Sequence, residues 1–562
     1  MSTNTYYALT TGPILETIFR AKSTRAIWTA SYSFSYLIKQ IMIKYSAGRG
    51  FERFIMPYAA VKGIMFNHDN HTGLFPDRII WYANETEQFS EFQAISETVI
   101  KEFALSVWND IQQYQIANHE ILTSATKFSD SGLEEFLLNY IKCYALKIDL
   151  QESDNPILKI STYLDSLELS PQSIGEQGHS LFFNWLELRF KGQYRNFLVK
   201  DAYADKLAQG IDTVRFDSVI EIATAELGDQ LFSQSKTNYW STYGGDESDI
   251  YNRLFDSSGK EIKRYHKYAA VLQADGDNMS KILGALFQNN IALPTAEKLN
   301  AFSSFLFEYS IAVVKLIESY GGVAVYIGGD DILAILPVVY NDDSVFKLIQ
   351  SIDAAFYKIL YSNEQLVTAL QNIKEKPSMT YGIAIGYYKH PLAELIKESH
   401  HQMSVLGKSR KNAIAYKLTK HSGTIITDCF QQHGYNGKNN EQNGLLPLYI
   451  ELRKALLAPS ANDTDGLKFI SSIQFKLSLN KPIIINIIDD NVNFNSFFDN
   501  NFNEKVHQGS KFIELIKKVL SDTFKHNLTT AMPKKEAAES AINSIFAMLR
   551  FTQFSLQKAE NE

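Results

Sequence analysis

The chain has 562 residues, 45% of them hydrophobic and 21% charged, the profile of a folded globular protein too long for one core and suited to roughly three or four domains. Its formal net charge of −7 disfavours a solitary nucleic-acid-binding module, which would be basic over much of its surface, and leaves any RNA contact to a local patch or to partner subunits. Two cysteines, Cys143 and Cys429, exclude a disulfide framework and a cysteine-built zinc site.

The opening residues have no basic start and no continuous apolar stretch, so no secretory signal is read, and no apolar run approaches the roughly 20 residues that span a bilayer. The cytoplasm, with no membrane contact, is the expectation. In chain order, a short apolar run at Tyr6–Thr10 precedes Gly12-Pro13, and a helical spacing follows through Ile14, Ile18, Trp28, Phe34, Leu37 and Ile41. FERFIMPYA and DRIIWYA (77–83) read as strands. Residues 95–235 read as mostly helical, and the polar, glycine-containing stretch 233–262 reads as a linker. YAAVLQA (268–274) is a buried strand, and a helix is expected from about Thr295 to Tyr320. VAVYI and ILAILPV are strands flanking a turn, MTYGIAIGYY (379–388) is a further strand, and Pro391 starts a helix. PIIINII (482–488) has the length of one buried strand, and the chain ends in a strong helix. These elements predict an α+β protein with a ferredoxin-like antiparallel sheet in 263–425. The expected domains are 1–150 (N-terminal palm-like), 151–262 (helical middle and linker), 263–425 (catalytic) and 426–562 (helical).

The chemistry concentrates in 263–425. Asp275-Gly276-Asp277 ends one strand, and Gly328-Gly329-Asp330-Asp331 makes the hairpin between two others, 55 residues later (330 − 275). Neighbouring strands of one sheet bring such points together. Phosphoryl transfer needs hard cations that neutralise a triphosphate and activate a hydroxyl, and carboxylate oxygens hold Mg²⁺ or Mn²⁺ for that purpose. Glycines at the turn let backbone approach phosphates. GGDD alone is also a favourable hairpin turn. Here the flanking apolar strands and the second acidic turn favour a site, whereas Gly244-Gly245-Asp246-Glu247, set among polar residues, reads as a solvated loop. Asp275, Asp330 and Asp331 are therefore the candidate catalytic and metal-holding residues. The candidate nucleotide contacts are Asp277, Asn278, Met279, Ser280 and Lys281, then Gly328 and Gly329, and finally Lys408 and Lys411 beyond the helix that starts at Pro391. Gly407-Lys408-Ser409 is no P-loop, because Gln402 stands where that motif needs glycine. His68-Asp69 lacks a second metal-spaced pair, and His400 and His401, adjacent on a helix, point apart and do not share a metal.

YAAVLQADGDNMSKILG, VAVYIGGDDILAILP and HPLAELIKESHHQMSVLGKSRKNAIAY, in that order, resemble the large polymerase-like subunit of type III CRISPR effector complexes. TTGPILETIFRAKSTRAIWTASYSFSYL resembles the first palm of its Cmr-type (III-B) form, and RFDSVIEIATAEL is similar to the segment before its second palm. The resemblance implies two ferredoxin-like palms, a helical middle domain and a helical C-terminal domain that packs on small subunits. It implies partners too: other Cmr-type subunits, with crRNA and target RNA held through the complex. Target RNA then switches on conversion of ATP to a nucleotide second messenger. Asp275, Asp330 and Asp331 become metal ligands by that resemblance, with the Gly276 carbonyl joining them and Lys408 meeting a phosphate. Two departures stand out: no room precedes Gly12-Pro13 for the HD nuclease of many relatives, and the cysteines for their structural zinc are missing, so neither DNA cleavage nor zinc is expected. ATP is taken as the only substrate, giving cyclic oligoadenylate, with S-adenosylmethionine as the alternative acceptor and Asp69 as the carboxylate that would meet its cation. A non-catalytic scaffold and a free-standing GTP cyclase are the competing readings.

Overall fold

The computed structural model describes residues 3–57, 71–117, 130–152, 154–169, 178–188, 196–209, 216–227, 262–288, 295–371, 373–432, 445–457, 465–502, 510–530 and 532–559. His68, Asp69 and the Gly244–Glu247 tetrapeptide lie outside them.

The N-terminal unit is built on a four-stranded antiparallel sheet. Its strands are β1 (Thr3–Gly12), β2 (Phe54–Met56), β3 (Arg78–Tyr82) and β4 (Lys142–Gln151), in the order β2-β3-β1-β4. Helices Ile14–Arg20 and Thr24–Ser46 connect β1 to β2, and helices Phe89–Ala117 and Asp130–Tyr140 connect β3 to β4. That is the split β-α-β order of a ferredoxin-like sheet. The Ser23 side chain caps the second helix by accepting from the Ala26 amide at 3.2 Å, and its apolar stripe (Ile27, Trp28, Phe34, Leu37, Ile38, Ile41) is buried. β4 interrupts the stretch 95–235 that was expected to be mostly helical. Its residues are mostly half-exposed, so the local pattern is weak, and pairing with β1 along its whole length makes it a strand.

The second unit contains a six-stranded sheet. Its strands are β5 (Tyr268–Asp277), β6 (Val323–Gly328) and β7 (Asp331–Pro337), then, after the short hairpin β8 (Val339–Tyr340) and β9 (Asp343–Ser344), β10 (Ser378–Tyr387), β11 (Ala413–Thr419) and β12 (Ile425–Gln431). The order is β12-β11-β10-β5-β7-β6, with β11 parallel to β10 and every other pair antiparallel. Removing β11 and β12 leaves the strand order of the N-terminal sheet. The sequence reading placed a boundary at 425, but β12 pairs with β11 as far as Gln431, and the C-terminal helices begin beyond it. Helix Thr295–Ser319 is long and apolar enough to cross a membrane by composition, contrary to the expectation that no segment would be. Its Phe305, Tyr309, Val313, Val314 and Ile317 are buried in the core under the sheet.

The run at 482–488 is a helix, Lys481–Ile487, and not a strand. Pro482 sits in its first turn, where a missing amide costs nothing, and only Ile484 of the helix is buried. Helix Lys534–Leu556 closes the molecule against the six-stranded sheet. Phe554 meets Tyr268 with ring centroids 4.9 Å apart, and the Ser544 hydroxyl donates to Asp428 Oδ1 at 2.8 Å.

The two sheets are joined through one face. Tyr7, Leu9, Ile18, Trp28 and Ile38 share a hydrophobic core with Val271, Leu333, Ile335, Leu392, Leu395 and Ile396. The Ser31 hydroxyl donates to the Val325 carbonyl at 2.8 Å, and the Ile327 amide donates to the Gly73 carbonyl at 3.1 Å. Strand alternation makes Val271, Gln273 and Asp275 one row of β5, and Asp331, Leu333 and Ile335 one row of β7. The carboxylates thus continue the row that faces the N-terminal unit.

Candidate active site

The GGDD segment is the hairpin the sequence predicts. Gly328 pairs with Asp331, leaving Gly329 and Asp330 as a two-residue loop with Gly329 at φ +74°, a backbone region glycine enters without penalty. Ala274 pairs with Ile332 across β5 and β7, so the antiparallel register brings Asp275 beside Asp331 at the next step. Gly276 is required by crowding: a Cβ there would lie 2.4 Å from Asp330 Oδ2 and 2.6 Å from Met279 Cγ. Asp275, Asp330 and Asp331 are therefore gathered at one end of the sheet.

Their electrostatics show a surplus of negative charge. The Asp330 carboxyl is pushed up to about 6, first by loss of water and then by the charge of Asp275. Asp331 opens on a cavity yet is walled by protein. It is raised further, by that wall and by Asp330, Asp275 and Asp77 in turn. Among the described residues, a lysine answers this charge. The Lys408 ammonium lies 2.9 Å from Asp275 Oδ2 and 3.0 Å from Asp277 Oδ1, and donates to the carbonyls of Asp275 at 3.1 Å and Gly276 at 2.7 Å. Burial alone would lower its pKa, but Asp275 and Asp277 outweigh burial and hold it above the ordinary lysine value. Lys408, the expected phosphate contact, is thus held by protein groups at this end of β5.

The remaining expected contacts separate into two groups. Asp277 is buried: its Oδ2 accepts from Thr380 Oγ1 at 2.6 Å, Ser378 Oγ at 3.1 Å and the Asn412 amide at 2.8 Å. With Oδ1 on Lys408, both oxygens are spent on the protein, and Asp277 ties β5 to β10 and to the loop before β11. Asn278, at φ +59°, turns the chain into helix Met279–Gln288, where Ser280 and Lys281 are exposed in the first turn and offer a positive helix end. Lys281 pairs with Glu375, while Lys411 donates to Asn278 Oδ1 at 2.9 Å and lies 3.5 Å from Glu375. These lysines form a rim beside the carboxylates.

An all-oxygen set suits a hard divalent cation, and the unbalanced carboxylate charge calls for one. Among the described residues, no three His, Cys, Asp or Glu side chains are already set around one ion position. The oxygens of Asp275 and the Gly276 carbonyl nonetheless surround a cation, the Lys408 ammonium.

A cavity of about 400 Å³ adjoins the carboxylates, within the size range of small-molecule sites. One wall comes from the GGDD sheet and the helix after β10: Gln273, Asp331, Leu333, His400 and Met403. The other comes from the end of β1 and the helix after it, Thr10–Glu16, with Asp77, Lys142 and Glu168. Asp77 is itself raised to about 6, by burial against the pull of Arg78. Sequence reasoning missed this second wall. Its one signal in the GGDD half was Gln273, a lone amide in an otherwise apolar strand.

Comparison with known proteins places this geometry. Residues 268–415 match the second palm domain of Cas10/Cmr2, and residues 6–113 match the N-terminal region of CRISPR-associated protein Cmr2. CRISPR system Cmr subunit Cmr2 of Pyrococcus furiosus is 30% identical over 191 residues, which cover 30% of this chain and 21% of that protein. Two cryo-EM structures of type III-B Cmr-beta share the fold. The apo form aligns with a TM-score of 0.53 at 10% identity, covering 98% of this chain and 82% of the other. The form bound to cognate target RNA aligns at 0.55 and 12% identity, covering 98% and 83%. The chain thus carries, in one order, a segment matching the Cmr2 N-terminal region and a segment matching the second palm of Cas10/Cmr2, with the GGDD hairpin inside the second.

Proposed function

We propose that the chain is the metal-dependent nucleotidyltransferase subunit of a type III CRISPR complex, in which target RNA recognised through crRNA and partner subunits switches on conversion of ATP to a nucleotide second messenger. The observation that carries this reading is the gathering of Asp275, Asp330 and Asp331 at one sheet end, with Asp331 in the wall of a cavity that both sheets line. The N-terminal sheet is then the first of two palms, with 151–262 as the middle domain and the chain beyond Gln431 as the helical region that docks on small subunits. Asp275, Asp330, Asp331 and the Gly276 carbonyl would hold Mg²⁺ or Mn²⁺, which when bound neutralises the triphosphate and polarises its α-phosphate. The first turn of helix Met279–Gln288, with Lys281, Lys408 and Lys411, would supply the cationic groups for the phosphates. The β1 wall of the cavity holds the acceptor nucleotide, whose ribose hydroxyl attacks the α-phosphorus as pyrophosphate leaves. ATP serves as both donor and acceptor.

The test is to incubate the assembled complex with labelled ATP and target RNA, with and without S-adenosylmethionine, and identify products by mass spectrometry. Oligoadenylate from ATP alone is expected, and it should depend on Mg²⁺ or Mn²⁺ but not on zinc. A product formed only with S-adenosylmethionine present, carrying methionine mass, overturns the acceptor assignment and leaves the metal site standing. A second reading is a non-catalytic scaffold, favoured by Lys408 lying across the oxygens a metal would need. Absence of any product under every condition would establish it.

A further inference from the structure

β5 is apolar along most of its length and carries one amide in its middle. Gln273 is 4% exposed, two residues before Asp275 on the same strand row. Its Nε2 donates to the Ile396 carbonyl at 2.9 Å and to Ser399 Oγ at 3.1 Å. The Ser399 hydroxyl gives its own proton to the Ile396 carbonyl at 2.9 Å, so its oxygen is left to accept. Both hydrogens of the amide are thereby committed, which fixes Oε1 as the end that faces His400 Nδ1, 3.2 Å away. A carbonyl oxygen can only accept, so Nδ1 carries the ring proton, and in the neutral imidazole Nε2 carries the lone pair.

His400 lines the same cavity as Asp331 and the β1 wall. Burial and the neighbouring His401 lower its pKa against the opposing pull of Asp275, which favours the neutral ring. Asp277 is engaged by Lys408, and Asp275, Asp330 and Asp331 are assigned above to the metal. On the wall from the GGDD sheet, His400 is thus an oriented, neutral base, with Asp77 and Glu168 on the opposite wall.

We infer that His400, held in its Nδ1–H tautomer by Gln273, accepts the proton of the ribose hydroxyl that attacks the α-phosphate. This rests on the nucleotidyl-transfer reading above. In the step, the hydroxyl oxygen forms the new bond to the α-phosphorus, and the bond from that phosphorus to the bridging oxygen breaks. Pyrophosphate leaves with the electron pair, and the hydroxyl proton moves to Nε2. The imidazolium so formed is stabilised by the Asp275 charge and then releases its proton to water.

The assembled complex, activated by target RNA, is assayed for pyrophosphate release with His400→Asn, His400→Gln, Gln273→Leu and the Asp330→Ala/Asp331→Ala double variant. A positioned base contributes on the order of 10²–10⁴-fold, so both His400 variants should lose about 10²-fold or more in kcat, with KM for ATP and complex assembly unchanged. Gln273→Leu, which frees the ring to change tautomer, should lose about 10-fold. His400→Gln at the wild-type kcat overturns the inference, because glutamine accepts a hydrogen bond but not a proton at neutral pH. If the double variant loses turnover while His400→Asn does not, this inference alone falls. If the double variant keeps its turnover, the metal-site reading falls. Independently of turnover, long-range ¹⁵N–¹H spectra of the histidine-labelled chain, with His400 assigned by its absence in His400→Asn, should show Nδ1 protonated. An Nε2-protonated ring there overturns the proposal.

Discussion

The two sheets share one strand order but end their first strands differently. β1 ends in Thr10-Thr11-Gly12 before Pro13, whereas β5 ends in Asp275-Gly276-Asp277. At the first end the Thr10 hydroxyl donates to Glu168 Oε1 at 2.6 Å, and a Cβ on Gly12 would meet nothing within 4 Å. At the second, the Asp330 carboxyl crowds Gly276, and the half-buried Lys408 bridges Asp275 and Asp277. Topology therefore supplies two equivalent ledges, and the chemistry depends on which residues stand on them.

That contrast can be broken most severely at the hairpin. Replacing Asp330 and Asp331 with alanine should remove several kcal/mol of transition-state stabilisation, on the order of 10³-fold in turnover. Because both carboxyls repel their neighbours, the melting temperature should hold or rise. Turnover at the wild-type level, measured on the assembled complex, would remove the site from this end of the sheet.

Asp277→Ala should act on stability more than on chemistry. It takes one carboxylate from Lys408, which keeps Asp275, and leaves the donors of Ser378, Thr380 and Asn412 without this acceptor, at a cost of about 1–3 kcal/mol for a buried donor left unpaired. Denaturant unfolding should show the loss. A midpoint shift below about 1 kcal/mol would mean that Asp277 is not the tie described above.

The glycines offer a matched pair. Gly276→Ala forces Asp330 or Met279 to move and should lower turnover by about 10-fold or more, since small misplacements in a phosphoryl-transfer site are costly. Gly12→Ala, with open space around it, should stay within about 0.5 kcal/mol of wild-type stability. Equal effects of the two on turnover would erase the distinction between the ledges.

The smallest effect concerns pH. Asp353, buried beneath β10 and accepting from the Tyr381 hydroxyl at 3.3 Å, is raised to about 7 by burial. In the N-terminal unit, Asp110, which accepts from Trp185 Nε1 at 3.1 Å, is raised to about 6. A carboxyl whose folded pKa lies above its unfolded value near 4 binds its proton more tightly when folded. Its contribution to stability is therefore lost as pH rises from about 4 through the folded value. Acidifying from pH 8 to 6 should stabilise the protein through Asp353. Asp353→Asn, a neutral mimic, should reduce that gain, and Asp110→Asn should change the profile only at lower pH. Thermal melts across this range decide it, and an unchanged profile in Asp353→Asn would contradict the assignment.

Sequence by itself determined the GGDD half. Its strands are long apolar runs bounded by glycine and aspartate, so both the hairpin and the acidic strand end are local properties that neighbours merely reinforce. Elements whose local signal is ambiguous were decided elsewhere. Lys142–Gln151 is a strand because β1 offers a full ladder of partners, and Lys481–Ile487 is a helix despite four isoleucines because Pro482 suits a first helical turn and only Ile484 needs burial. β11 and β12 exist because β10 leaves an edge to be covered. The same holds for the site: its carboxylates were legible as a motif, but Lys408 meets them from 133 residues away (408 − 275), and the cavity needs a wall from residues 10–16. Ion pairs, tautomers and cavities are set by side chains far apart in the chain, and only tertiary packing brings those together.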